Sequence, residues 1–120
     1  MTIIFSNMLD SDCQVLRCTW QNISDVNIVE ITPDMNIDEA ENSVNNAIIA
    51  EDDTIIFLGH GTEYGLLFPD FYKGLYILHD ENVNLIHAKN IICCWCHASS
   101  FVNRHIDHLH NTFADRKSVV

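Results

Sequence analysis

Two continuous apolar runs constrain this chain more than any other feature of its sequence. They are Thr54–Leu58, which reads TIIFL, and residues 90–95, which read NIICCW. Unbroken apolar runs of this length are typical of strands buried on both faces, and such strands occur mainly in parallel sheets. The first run ends in a Gly-His-Gly motif centred on His60, and the second ends in Cys96.

The remaining segments alternate between strand and helix patterns. The pattern predicts strands over residues 2–5 and 26–32, extended pieces at 65–67 and 75–78, a helical turn at 81–88, and helices over 12–22, 37–50 and 100–114. Asp10 or Ser11 can cap the first helix, and a strand over residues 14–20 is the alternative to it. This alternation predicts one α/β domain over residues 1–120, with a small, mainly parallel sheet flanked by helices.

The helix over residues 37–50 carries the strongest local signals. Asn36 can cap its first turn, and Glu39 follows three residues later, which is a capping-box pattern. One apolar stripe then recurs at helical spacing, and it comprises Ile37, Ala40, Val44, Ala47 and Ile48. We therefore expect this helix to pack one face on the sheet.

His60 and Cys96 each follow a buried-type strand. In parallel sheets functional groups gather beyond the carboxyl ends of the strands. A cysteine peptidase needs a thiolate nucleophile and a group that protonates the leaving amine, and an imidazole beside the thiol serves both needs. If the two strands are neighbours about 5 Å apart, the side chains of His60 and Cys96 come within reach of one another.

These two stretches resemble the caspase–gingipain–separase clan of cysteine peptidases. The block from Gly59 to Leu67, GHGTEYGLL, is similar to the "GHG…GLL" stretch of small bacterial caspase-like and CHAT-type domains, and residues 90–98, NIICCWCHA, are similar to their second motif. The resemblance covers roughly residues 54–100. It implies a minimal, truncated caspase-like three-layer sandwich, because in that clan further segments after the cysteine usually complete the sheet and the specificity pocket.

The resemblance also implies roles for individual residues. His60 would be the general acid and base, Cys96 the nucleophile, and Gly61 a backbone donor to the oxyanion hole. Glu63 and Asp70, in the segment after His60, are candidate contacts for a basic substrate side chain. The function expected is a cysteine-peptidase-like hydrolase that is weak or inactive as an isolated chain.

Two other functions stay open at this stage. One is a non-catalytic interaction module that keeps the fold without the activity. The other is a thiol- or metal-sensing protein, in which Cys96 with His97, His105, His108 and His110 would bind Zn²⁺, or Cys93 and Cys96 would act as a redox pair. No second Cys/His cluster with standard spacing is present, so neither a metal site nor a cofactor is predicted.

The net charge limits the kinds of molecule that the protein is expected to bind, and the cysteine content indicates its compartment. Seventeen acids against six bases give a net charge of -11, and this charge repels nucleic acid and anionic membranes. A basic peptide or protein substrate suits such a surface better. Five cysteines, an odd number, favour reduced thiols and a cytoplasmic setting. A sheet this small can leave an open edge, which a homodimer would complete.

Overall fold

A five-stranded parallel sheet forms the centre of the molecule. The computed structural model describes residues 1–18, 20, 22–70, 73–86, 89–105, 109 and 112–114. The strands of the sheet, in chain order, are β1 (Thr2–Ser6), β2 (Asn27–Ile31), β3 (Thr54–Leu58), β7 (Asn90–Cys94) and β8 (Thr112–Ala114). Their spatial order is β2-β1-β3-β7-β8, and every neighbouring pair is parallel. The predicted small parallel sheet within an α/β domain is therefore confirmed.

The sheet is buried on both faces, as its unbroken apolar runs predict. Side chains that alternate along the strands enter two separate clusters. One cluster contains Ile4 and Phe57, and the other contains Ile3, Phe5 and Leu58. Helices α2 (Ile37–Ala50) and α3 (Ala98–Arg104) contribute to the first cluster, whereas α1 (Ser11–Cys18) contributes to the second. The result is an α/β sandwich with helices on both sides of the sheet.

The two predicted N-terminal helices are confirmed. Helix α2 has the predicted bounds, and the side chain of Asn36 accepts a hydrogen bond from the Asp38 amide at 2.8 Å. Helix α1 is shorter than the predicted segment, and it buries Cys13. Trp20 lies beyond the end of α1 and still packs edge-on against Phe5, with ring centroids 4.6 Å apart. A strand over residues 14–20 is thus excluded.

A second, smaller sheet fills the connection between β3 and β7. It consists of β4 (Gly61–Thr62), β5 (Gly65–Leu67) and β6 (Tyr76–Leu78), all antiparallel. A short 3₁₀ helix, Val83–Ile86, then leads towards β7. β5, β6 and the 3₁₀ helix agree with the extended pieces and the helical turn that the sequence predicts, whereas β4 was not predicted. Among the described residues, no helix is long and apolar enough to cross a membrane.

The prediction of a terminal helix over residues 100–114 is right for residues 100–104 and wrong for residues 112–114. Helix α3 begins at Ala98 and ends at Arg104, and residues 112–114 form β8, paired in parallel with β7. The helix was predicted because Phe101, Leu109 and Phe113 have the spacing of one helical face. The edge of β7 offers unpaired backbone groups, and hydrogen bonding to that edge overrides a weak helical pattern. A further strand suspected at residues 118–120 lies outside the described residues.

Candidate active site at the carboxyl ends of β3 and β7

The register between β3 and β7 brings His60 and Cys96 to the same edge of the sheet. The two strands are direct neighbours, and their last pair is Leu58 with Cys94. One more backbone bond follows, from the Gly59 amide to the Cys94 carbonyl, at 3.4 Å. His60 and Cys96 each stand two residues beyond the last pair. The sequence-based expectation that both residues follow adjacent strands is met.

Trp95 connects the two strand ends physically. Its indole Nε1 donates to the Thr62 carbonyl at 2.8 Å. A Cβ atom added to Gly61 would lie 2.3 Å from Trp95 Cδ1 and 2.5 Å from the Gly65 carbonyl oxygen. Such approaches are too close for any side chain, so only glycine fits at position 61. The close packing gives Gly61 a structural role beside the oxyanion role that the resemblance implies.

Cys96 lies in a sharp turn between β7 and α3, and it is exposed. The next residue, His97, has a φ of 63° and caps α3 without a side-chain hydrogen bond. A left-handed backbone costs a non-glycine residue about 1 kcal/mol or more, so the surrounding packing must hold this turn in place. The Ala98 amide donates to the Trp95 carbonyl at 3.1 Å, which closes the turn around Cys96. The thiol is thereby presented at the surface.

His60 is paired with a carboxylate that the sequence analysis treated only as a helix cap. Its Nε2 lies 2.6 Å from Asp10 Oδ2. The two side chains are partly exposed, at 22% for His60 and 36% for Asp10. Asp10 follows β1, the other neighbour of β3, so the loop after β1 opens at the same edge of the sheet as the loop after β3.

The loop that carries Asp10 is well defined by local bonds. Asn7 Oδ1 accepts from the Leu9 amide at 2.8 Å, and Leu9 has a φ of 65°. Asp10 Oδ1 accepts from the Cys13 amide at 2.9 Å, which is N-cap geometry for α1. Hydrogen bonds from the thiol and the amide of Cys13, and then from His60, lower the pKa of Asp10 to about 2. Asp10 is therefore ionised at neutral pH.

Cys13 completes a compact group with Asp10 and His60. Its sulfur and the facing atoms of the other two residues lie within 4.8 Å of one another. The Met8 amide donates to Cys13 Sγ at 3.4 Å. Burial, with a further contribution from Asp10, raises the pKa of the Cys13 thiol to about 11. Cys13 is thus a poor nucleophile at neutral pH, and it does not compete with Cys96 for that role.

Sequence reasoning missed Asp10 and Cys13 as members of this site. The available signal was their position in the segment that follows the first predicted strand. Because the loops after parallel strands open at one edge, the segment after β1 could have been grouped with those after β3 and β7. That grouping requires β1 to be the neighbour of β3, and strand order cannot be read from one sequence.

The residues predicted to bind substrate lie in the segment after His60. Glu63 is exposed in the turn between β4 and β5, and its carbonyl accepts from Arg104 Nη1 at 3.0 Å. Asp70 is half-buried, and its amide donates to the Phe68 carbonyl at 2.6 Å. A cavity of about 420 Å³ opens beside the small sheet. It is lined by Tyr64, Tyr76, Glu41, His79, Asp80 and Glu81, together with Ile37, Gly74 and Leu75.

The described residues give little support to the two sensor hypotheses, a redox pair of Cys93 and Cys96 and a histidine-rich zinc site. Cys93 is fully buried, and burial raises the pKa of its thiol, whereas Cys96 is exposed. His105 Nε2 bonds to Asp80 Oδ1 at 2.8 Å, and its ring packs on Phe101. His108 and His110, the other two tail histidines of the zinc hypothesis, lie outside the described residues.

Comparisons with known proteins assign no family. The chain matches no protein-family model, and neither a curated protein nor a solved structure is significantly similar to it. The likeness to caspase-type peptidases consequently depends on the stretches around His60 and Cys96, and it enters below as a proposal.

Proposed function

We propose that this protein is a cysteine-peptidase-like hydrolase in which Cys96 is the nucleophile and His60 the general acid and base. The observation that carries the proposal is the register of β3 and β7, because it places both residues two positions beyond the last pair of two adjacent strands. The exposure of Cys96 adds support, since a nucleophile must meet its substrate. A buried thiol would instead have favoured a purely structural role.

The chemistry follows from these two groups. His60 takes the Cys96 proton, and the thiolate attacks a peptide carbonyl to give a tetrahedral oxyanion. The protonated imidazole then donates to the leaving amine, and the C–N bond breaks to leave an acyl-enzyme. Water, deprotonated by His60, attacks the thioester, which releases the acid and restores the thiol. The Gly61 amide is the candidate donor to the oxyanion.

Asp10 adds a third group to the pair. A carboxylate 2.6 Å from Nε2 of His60 accepts a hydrogen bond from that nitrogen and orients the ring. Asp10 is in this scheme a positioning residue, because it acts through His60.

A basic peptide or protein segment is the proposed substrate class. Glu63 and Asp70 follow the catalytic histidine, and Glu81 lines the cavity beside Tyr64. The other two carboxylates of that cavity already have partners in the protein, Glu41 with His79 and Asp80 with Arg104 and His105. The net charge of -11 favours the approach of a cationic chain. Such chemistry suits a reducing, cytoplasmic compartment, where the Cys96 thiol stays free.

One observation favours the alternative of a non-catalytic interaction module. The Trp95 ring lies against Gly61, where substrate would have to approach the backbone of the histidine loop. We therefore expect weak or no turnover by this chain alone, even if its thiol is activated.

Selective alkylation tests the activated thiol. Cys18 is the internal reference, because it is exposed on α1 and lies outside the proposed site. Brief iodoacetamide treatment near neutral pH, followed by mass spectrometry, should label Cys96 faster than Cys18, and Cys13 and Cys93 slowest of all. His60→Ala should slow the labelling of Cys96 and leave Cys18 unchanged. Equal rates at Cys96 and Cys18, insensitive to His60→Ala, would refute the proposal.

A panel of fluorogenic peptides with Arg, Lys, Asp or Leu at the cleaved position tests turnover. Any activity should favour Arg and Lys and vanish in Cys96→Ala. Turnover that survives in Cys96→Ala would show that the nucleophile lies elsewhere. An activated Cys96 in the labelling experiment, combined with no cleavage of any peptide, would favour the interaction module.

A further inference from the structure

We infer that Asp10, Cys13 and His60 form a binding site for one divalent cation of the zinc class. The three side chains supply an oxygen, a sulfur and a nitrogen, all within 4.8 Å of one another. Borderline-soft cations such as Zn²⁺ take this mixture of donors, and three protein ligands leave one coordination position for water. Hard cations such as Mg²⁺ and Ca²⁺ prefer oxygen ligands and are poorly served here.

The ligand atoms are 2.6 Å apart for Asp10 and His60 and at most 4.8 Å apart in every pair, so small side-chain movements can bring them to the spacing of a tetrahedral ion. With bonds of about 2.0 Å to oxygen and nitrogen and about 2.3 Å to sulfur, ligand atoms stand about 3.3–3.6 Å apart. The present 2.6 Å contact between Asp10 and His60 must lengthen by somewhat under 1 Å to admit the ion. Both side chains are partly exposed, at 36% and 22%, so each has room to turn. Of the three ligands, only Cys13 is fully buried, so its sulfur lies at the inner end of the site.

The surrounding backbone already holds two of the ligands in place. Asp10 Oδ1 accepts from the Cys13 amide at 2.9 Å, which leaves Oδ2 free to turn from His60 to an ion. Cys13 Sγ accepts from the Met8 amide at 3.4 Å and faces the Ser6 carbonyl at 3.8 Å. The ion must displace the proton of the Cys13 thiol, and the Met8 amide can then donate to the bound thiolate. Such outer contacts orient ligands before the ion arrives.

The ion and the proposed catalytic role compete for His60. An imidazole bound to a metal through Nε2 keeps its remaining proton on Nδ1 and cannot accept one from Cys96. Occupation of the site would therefore switch off the activation of Cys96 without contacting that thiol. This regulatory consequence rests on the proposed function, whereas the metal site itself does not.

Binding is tested with Co²⁺ and Zn²⁺ added to the full-length protein after treatment with a chelator and a reductant. Co²⁺ should bind with a stoichiometry of one and give a thiolate-to-cobalt charge-transfer band that Zn²⁺ displaces. Cys13→Ser should abolish the band, and Asp10→Asn, which keeps the helix cap, should weaken binding about tenfold or more. Cys96→Ser and Cys18→Ser are the controls, and neither should change binding.

Two results would overturn the site. One is a charge-transfer band that persists in Cys13→Ser but disappears in Cys96→Ser, which would place the ion with the histidine-rich tail. The other is the absence of any band in the wild-type protein. If Cys13→Ser unfolds, as far-UV circular dichroism would show, Asp10→Asn decides the question, because unchanged affinity in that variant would also count against the site.

The predicted loss of Cys96 activation on metal binding is tested separately, by the rate at which Cys96 is alkylated. Zn²⁺ should slow the alkylation of Cys96 in the wild-type protein and have no effect in Cys13→Ser. Protection that persists in Cys13→Ser would mean that the ion binds Cys96 directly, and the regulatory link would fail. If His60→Ala does not slow labelling in the absence of metal, the proposed function fails, while the cobalt result still reports on the metal site.

Discussion

The Asp10 carboxylate has three neighbours that belong to the candidate site or to helix α1. One oxygen caps α1 through the Cys13 amide, the other meets His60, and the thiol of Cys13 lies close by. The ionised form is preferred by all of these partners, because each is a donor to the carboxylate. The bond from the Cys13 amide stabilises the carboxylate in this loop. The contact with His60 brings the loop into the candidate site.

The titration of Asp10 should be visible in the stability of the protein. The pKa of Asp10 is about 2 in the folded chain, against an ordinary value of 3.8. A lowered pKa stabilises the fold above the ordinary value, and this contribution is lost as pH falls towards the folded value. We expect the stability difference between the wild-type protein and Asp10→Asn to be largest above about pH 5 and to shrink towards about pH 2.

Urea unfolding at several pH values measures this difference. Asp53→Asn, which removes an exposed carboxylate outside the site, controls for the general effect of losing one negative charge. A difference between wild type and Asp10→Asn that stays constant down to about pH 2 would contradict the assigned titration.

At the scale of single elements, α2 is specified almost wholly by its local sequence. Asn36 accepts a hydrogen bond from the Asp38 amide, and the apolar stripe faces the core. Asn36→Ala removes the cap acceptor, so we expect a loss of about 1 kcal/mol in unfolding free energy. Asn36→Asp retains an acceptor and should lose much less. Equal losses in the two variants, measured by thermal or urea unfolding, would argue against the cap.

Gly61 should tolerate no side chain. In Gly61→Ala the new methyl group would meet the Trp95 ring at 2.3 Å and the Gly65 carbonyl at 2.5 Å, and the backbone partner cannot move away cheaply. We expect a loss of about 1–3 kcal/mol, in the range of overpacked sites. The expected change is therefore structural, whether or not Gly61 donates to an oxyanion.

Gly74→Asn is the comparison for that variant. Gly74 has a φ of 59° and has no atom within 4 Å of an added Cβ, and asparagine tolerates a left-handed backbone. The unfolding free energy of Gly74→Asn should therefore stay close to that of the wild-type protein. A loss in Gly61→Ala no larger than in Gly74→Asn would show that the packing of Trp95 against Gly61 is loose.

At the scale of the whole molecule, β1 and β3 are the centre of the structure. Each has a parallel neighbour on both sides and contributes side chains to both core clusters. We expect their amides to exchange with solvent only on global unfolding, and more slowly than those of the edge strand β2. Hydrogen exchange followed by mass spectrometry or NMR tests this order. Faster exchange in β3 than in β2 would contradict the strand order.

Much of the fold follows from the sequence because its signals are local. The bounds of α2 and β3 were predictable, since a helical stripe with a cap and an unbroken apolar run each specify an element within one segment. The succession of strands and helices then predicted a parallel sheet. The positions of His60 and Cys96 after their strands also followed, and with them the candidate site.

The tertiary structure decided which segments are neighbours. Asp10 and His60 are 50 residues apart and meet only because β1 and β3 are adjacent. Residues 112–114 pair with β7 despite a helical spacing, because the strand edge offers hydrogen bonds that an isolated segment lacks. Propensity and periodicity act over one or two turns of chain, whereas strand order and register depend on burial across the whole sheet. The sequence by itself therefore determined most of the elements and the two strand-end residues, whereas the packing of the sheet decided their partners and the strand at residues 112–114.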